Sequence, residues 1–461
     1  MANEVEVRDA HQGDVWTSNV AFLFATGAAA IGLGSLWRFP YVAGANGGGA
    51  FVIVYILFVI AICIPIMIGE MALGRTGGGS ALASVRNLAR EAGASKAWRA
   101  IGWFSIAIPF FGLSYYSVVA GWALDYARLA IGTGFDGVDA AASTAIFDEA
   151  ISSPLRQGLL QLAFIAAAAF VVARGVQRGI EVISKVKMVA LFVVIVGLVI
   201  YNAATVGLGP SVRFLLVPDF SALTSASILT AFGQSLFSTA IGVGVLMTYS
   251  AYLPRGGSLS GSACIVSGAV IFIAMMAGLA IFPTVLHYGL TPATGPNLIF
   301  VTLPVAFGQM IGGRIVSIIF FSLISLAAFT TAIGMLEPVV SWVKEKTGWG
   351  RGRATALTAT LIWLVGVPSL LSFSVMKDVH PLGWFGPFAQ KTFFDVLDFG
   401  IAEFLLPVNA LLLALFVGWA LSKRIGGTEL DLSGLAYRLW RFAIRFLAPV
   451  AIVGLLIDIL I

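Results

Sequence analysis

Residues 22–40 read FLFATGAAAIGLGSLWRFP, and residues 233–252 read GQSLFSTAIGVGVLMTYSAY. Both are apolar runs, and each carries a Gly-x-Gly pair in its interior, at Gly32 and Gly34 and again at Gly242 and Gly244. Glycine inside a helix costs about 1 kcal/mol relative to alanine, and two glycines one residue apart invite the backbone to leave the helical ladder. In lipid a freed amide or carbonyl needs a partner, so irregular backbone at membrane depth survives only where it is buried in protein or lines a polar cavity. One such pair alone reads as a small-residue packing face. Two copies with nearly the same letters, one in the first apolar span and one in the sixth, read as equivalent breaks in two five-helix halves of opposite orientation.

The rest of the chain fits this frame. Of 461 residues, 59% are hydrophobic and only 11% charged, and apolar runs of bilayer-crossing length follow one another to the C-terminus. The expected fold is all-α: a polytopic membrane protein with about eleven transmembrane helices, a five-plus-five inverted repeat and broken helices 1 and 6. The expected spans are 15–41, 43–74, 97–129, 155–173, 181–204, 228–252, 260–286, 312–344, 353–371, 392–421 and 438–461. Residues 1–461 then form one transmembrane domain, with 15–204 and 228–421 as the two repeats and 438–461 as an extra helix. Segment 288–310, broken by Pro and Gly, reads as an external loop with a short amphipathic turn or two.

Lys and Arg gather in alternate loops: Arg75, Arg86, Arg90, Lys96 and Arg99; Arg174, Arg178, Lys185 and Lys187; Lys344, Lys346, Arg351 and Arg353. The loop after the third span carries acids and no base. The positive loops face the cytoplasm, which places the N-terminus there, in a plasma (inner) membrane. No cleavable signal is expected before the first span. Cys63 and Cys264 lie in apolar segments and are expected as two buried thiols. The three histidines are scattered, with no His-Glu-x-x-His motif, and GRTGGGS (74–80) lacks the Gly-Lys-Ser/Thr ending of a phosphate loop. An intramembrane enzyme and a nucleotide-driven pump are therefore disfavoured, and no nucleic-acid partner is expected.

AAIGLGSLWRFPYVAGANGGGAF (29–51), GQSLFSTAIGVG (233–244), AAFTTAIGMLEP (327–338) and TLPVAFGQM (302–310) together resemble the neurotransmitter:sodium symporter family, whose members have the leucine-transporter fold. The resemblance runs from about Trp16 to the tenth span, and the eleven-span form is similar to bacterial amino acid transporters. It implies sodium-coupled symport by alternating access. The implied substrate carboxylate meets the amides of Leu33 and Gly34 and the Tyr116 hydroxyl, and the amine meets carbonyls at Ala30, Phe237 and Ser238. Gly32 stands where amine-transporting relatives carry an Asp, which favours an amino acid over a biogenic amine. The implied side-chain pocket is lined by Gly112, Tyr116, Phe237, Ala240, Val243, Thr331 and Met335, and its small residues suit a bulky hydrophobic or aromatic side chain.

For ions, the resemblance implies a sodium site made of the Ala28, Ile31 and Ala327 carbonyls with the Thr330 and Thr331 hydroxyls, an oxygen set that suits a hard cation. Another sodium site, at Ala30, Ser35 and Ser238, lacks the family's amide ligands. The residue that would bind or replace chloride is missing near Ile273 and Ala274, so no chloride dependence is expected. Arg38 and Asp398 resemble an external gate pair. Trp16, Tyr252 and Glu345 resemble an internal gate, whose usual arginine is Gly13 here, so that Arg8 or His11 would have to deputise. The sequence leaves open a non-transporting sensor or channel on the same fold, a proton-coupled amino acid transporter, and the oligomeric state.

Overall fold

The computed structural model describes residues 14–253, 256–290, 295–421 and 430–460. Among them the regular structure is helical, apart from one isolated bridge between Gly48 and Pro218. Helix α1 (Asn19–Ala30) starts where the Ser18 hydroxyl accepts the Ala21 amide, and stops at Ile31, whose φ and ψ of −80° and 87° leave the helical region. Helix α2 (Gly34–Ala45) opens with a wide π turn over Gly34–Arg38, and the two axes meet at 53°.

Helix α3 (Gly49–Gly77) follows, then α4 (Ala81–Glu91), α5 (Lys96–Gly132), α6 (Ala140–Ser152), α7 (Pro154–Ala173), α8 (Val176–Thr205) and α9 (Gly209–Leu216). The second interruption separates α10 (Ser225–Ser238) from α11 (Val245–Ala251). Between them Ala240, Gly242 and Gly244 take φ values of 54°, 77° and 87°. At Gly244 a side chain is barred twice over, because a Cβ would also stand 2.4 Å from the Ser105 carbonyl oxygen.

Helices α12 (Leu259–His287), α13 (Leu298–Gln309), α14 (Gly313–Thr347), α15 (Arg351–Leu371), α16 (Phe393–Ala420) and α17 (Gly434–Ile459) complete the chain. Among the described residues nine helices are long and apolar enough to cross a membrane, and the bent pair α1 and α2 makes ten. The sequence expected about eleven. The difference is the sixth expected span, because α10 and α11 have 14 and 7 residues and neither half meets that length alone. The protein is a multi-pass membrane protein.

The long helix α14 lies along α5, and α8 packs against both α1 and α14. Helix α11 packs on the second half of α3, and α10 on its first half. Both interruptions therefore sit inside the bundle. The segment expected as a loop over 288–310 contains α13, tied down by Trp37 Nε1 to the Gly295 carbonyl (3.1 Å) and by the Tyr126 hydroxyl to the Phe300 carbonyl (2.7 Å). Residues 291–294 lie outside the described residues. Cys63 is buried as expected but Cys264 is exposed, because it shares an outward stripe of α12 with Gly268 and Phe272.

Candidate substrate and ion-binding site

Ten of the eleven residues expected to meet the substrate line one cavity of about 70 Å³: Ala30, Leu33, Gly34, Gly112, Tyr116, Phe237, Ala240, Val243, Thr331 and Met335. Ser238 stands behind the wall, its hydroxyl 2.9 Å from that of Tyr55. Ile108, Tyr115, Ile401, Ala402 and Leu406 also line the cavity, and no sequence motif singled them out. The lining is mainly apolar. At Gly112 a Cβ would stand 2.6 Å from the Met335 terminal methyl, so the volume opened by one residue is partly used by the other.

The polar rim is the first break. Ser35 and Leu36 amides turn back to the Gly32 carbonyl, which leaves the amides of Leu33 and Gly34 to face the cavity. The buried Tyr116 hydroxyl lies beside the Leu33 amide and the Thr331 hydroxyl, yet makes no well-aligned hydrogen bond to either. The buried Ser35 hydroxyl is likewise unpartnered. Buried polar atoms left bare in this way are costly, so the cluster suits a polar or anionic ligand group.

The second break is held from two sides. The buried Glu70 carboxylate accepts the Gly242 amide at 2.9 Å and the Gly244 amide at 3.2 Å, while Asn409 Nδ2 donates to the Gly242 carbonyl at 2.7 Å. The sequence reading missed both residues. A lone Glu and a lone Asn inside apolar spans are the signal that could have found them, since intramembrane polar side chains normally serve a named partner.

Around the expected sodium ligands the structure is more specific. Thr330 Oγ1 donates to the Ala28 carbonyl (3.1 Å) and the Ala327 carbonyl (3.2 Å). Thr331 Oγ1 turns instead to the Ala29 carbonyl at 3.1 Å. The Nζ of Lys187, a residue counted above with a cytoplasmic loop, donates to the Ala28 carbonyl at 3.0 Å and the Ile31 carbonyl at 2.5 Å. Lys187 is fully buried on α8. At the other expected site, the Ser238 hydroxyl is paired with Tyr55 and Ser35 is bare, while Ser267 on α12 reaches only Met67.

The ends of the cavity are shut. Phe237 packs against Gly34, where a Cβ would approach its ring to 2.9 Å, and the Arg38 guanidinium lies over that ring at 4.6 Å. Arg38 is ion-paired with Glu403, not with Asp398 as the sequence reading expected. The wide turn over Phe399–Leu405 shifts the face that α16 presents, and brings Glu403 to the guanidinium. At the opposite end Trp16 donates from Nε1 to the Tyr249 carbonyl (2.8 Å), and its amide meets the Tyr252 carbonyl (3.1 Å). The Tyr252 hydroxyl donates to Glu337 (2.8 Å), which is ion-paired with Arg351; Asp14 joins Lys344 (2.8 Å) and Arg351 (3.1 Å). Glu345, expected in this gate, accepts the Ser80 amide at 3.0 Å instead, because it points to the start of α4. Arg8, His11 and the N-terminus lie outside the described residues.

The family model described as the sodium:neurotransmitter symporter family matches residues 13–135 and 151–461. The chain belongs to that family. A sodium-dependent transporter, YhdH, of Bacillus subtilis is 38% identical over 96% of this chain and 97% of its own length. A sodium-dependent transporter of Haemophilus influenzae is 32% identical, covering 97% of this chain and 98% of its own. The crystal structure of MhsT in complex with L-phenylalanine superposes with a TM-score of 0.86, at 36% identity over 96% of this chain and 99% of that one. Symporters of this family are transporters and not enzymes.

Proposed function

We propose that the protein couples sodium entry to uptake of a neutral, bulky hydrophobic or aromatic amino acid by alternating access. The observation that carries this reading is the first break, where the Leu33 and Gly34 amides and the bare Tyr116 hydroxyl adjoin a mainly apolar cavity. A carboxylate fits the amides and the Tyr116 hydroxyl, and an apolar side chain fits the wall formed by Val243, Met335 and Ile401. The L-phenylalanine complex of the structural neighbour MhsT supports the same substrate class.

The Ala30 carbonyl with the Ser35 and Ser238 hydroxyls would hold a sodium ion beside the substrate carboxylate, where its positive charge offsets the carboxylate's negative charge. Residues 15–204 and 228–421 serve as the two opposed halves. Lys344 and Arg351 stand at the Trp16 end, so the positive-inside rule places that end in the cytoplasm of a bacterial-type inner membrane, and the Arg38 end outside. Closure at the outside brings Phe237, Arg38 and Glu403 over the cavity; closure at the inside brings Trp16, Tyr252 and Glu337 together.

The test is uptake by proteoliposomes. Accumulation of labelled L-phenylalanine against its gradient under an imposed inward sodium gradient is the expected result, unchanged when chloride is replaced by gluconate. Accumulation driven by a proton gradient without sodium, or equilibration without accumulation, would overturn the coupling.

A further inference from the structure

We infer that the ammonium of Lys187 is a built-in cation that takes the place of sodium at the site framed by Ala28, Ile31, Ala327 and Thr330. The oxygens that the family pattern offers to an ion there are already engaged. Ala28 accepts from Lys187 Nζ and from the Thr330 hydroxyl, Ile31 accepts from Lys187 Nζ, and Ala327 accepts from Thr330. The Thr331 hydroxyl faces Ala29 and the substrate cavity. A sodium ion seated on the Ala28 and Ile31 carbonyls would share both with the ammonium and lie within a few ångströms of it, at a depth where like charges are poorly screened. The residues present do not fit sodium together with lysine.

An ammonium offers what those carbonyls need. It brings one positive charge and donors for carbonyl dipoles at the C-terminal end of α1, where a cation is favoured. Lys187 lies eleven residues into α8, so at about 1.5 Å per residue its backbone is roughly 16 Å along the helix, far from either end. A lysine so deep in a span is expensive unless it has a specific partner, and here its two partners are main-chain carbonyls of the break itself. Being tethered, it re-enters the site as an intramolecular event, whereas sodium must come from solution. The bridge also joins different elements: sodium would link α1 to α14, and the lysine links α1 to α8.

This inference deepens the symporter reading and rests on it for its meaning in coupling: the sodium that drives transport then binds only beside the substrate, through Ala30, Ser35 and Ser238. The experiment is ²²Na⁺ binding to the purified full-length chain, with and without a saturating mixture of neutral amino acids. The wild type is expected to bind one sodium ion per protein, and only with amino acids present. Lys187→Ala is expected to add a second, amino-acid-independent sodium. Two sodium ions in the wild type, or no added sodium in a folded Lys187→Ala protein, would overturn the inference. If Lys187→Ala does not fold, the wild-type stoichiometry decides alone, one upholding and two overturning. Failure of every amino acid to stabilise the protein would instead refute the substrate reading, while the amino-acid-independent gain in Lys187→Ala would still report on the lysine.

Discussion

Replacing Gly32 by alanine puts one methyl group at the centre of the first break. Its Cβ would stand 2.2 Å from Thr331 Oγ1, 3.1 Å from Thr331 Cβ and 3.2 Å from the Tyr116 hydroxyl. The first distance is far inside van der Waals contact, and Thr331 is held by its hydrogen bond to the Ala29 carbonyl, so relief requires moving α14 or abandoning that bond. Overpacking of this kind costs about 1–3 kcal/mol. Because the same atoms frame the proposed carboxylate position, the cost falls on binding, and corresponds to roughly 5- to 150-fold weaker affinity. Gly27→Ala is the matched control: five residues earlier in the same chain, its Cβ would meet only the flexible Met188 side chain, at 3.6 Å. There the gain in helix propensity, up to about 1 kcal/mol, goes uncontested. The assay is displacement of labelled L-phenylalanine from purified protein, with thermal melting alongside to separate binding from folding. Gly32→Ala with an affinity within about twofold of wild type, or Gly27→Ala with the larger loss, would refute the reasoning.

Three further outcomes are expected. Glu70→Gln keeps the shape but turns one acceptor into a donor facing a glycine amide, so thermal unfolding should fall in step with a loss of about 2–3 kcal/mol, while Glu70→Asp should lose less. Glu403→Gln should speed release of trapped substrate about fivefold, as removal of a partly exposed ion pair worth about 1 kcal/mol implies; Asp398→Asn should change it less, and dissociation kinetics decide between them. Arg351→Met takes the cation from the buried Glu337, while Asp14 keeps Lys344; the loss is about 3–5 kcal/mol and should make a cysteine placed at Ser341 reactive to thiol reagents added from the Trp16 side.

The fold was legible because the two Gly-x-Gly pairs act locally: they state where the backbone leaves the helix whatever surrounds it, and the span lengths do the rest. The cavity was legible through the family resemblance, whose motifs at 29–51, 233–244 and 327–338 carry most of its named residues. The partners that stabilise the breaks were not. Glu70, Asn409 and Lys187 come from α3, α16 and α8, and only packing brings them to Gly242 and Ile31. Lys187 was misplaced because charge counting assigns a lysine near a span end to a loop, whereas α8 starts at Val176 and carries it inward. Glu403 was separated from Arg38 by the same kind of error: a wide turn over Phe399–Leu405 alters helical phase in a way that residue spacing does not register.

The two closures of the cavity are unequal. One is a single ion pair over a phenyl ring, with both charged side chains about a quarter to a third exposed; the other gathers Trp16, Tyr252, Glu337, Arg351, Asp14 and Lys344 into a largely buried mesh. Thermal agitation therefore unlatches the Arg38 side far more often than the Trp16 side. In the proposed orientation an empty protein would wait facing the medium from which nutrients arrive, and for the proposed amino acid substrate the cell's own pool would be kept from draining back through it.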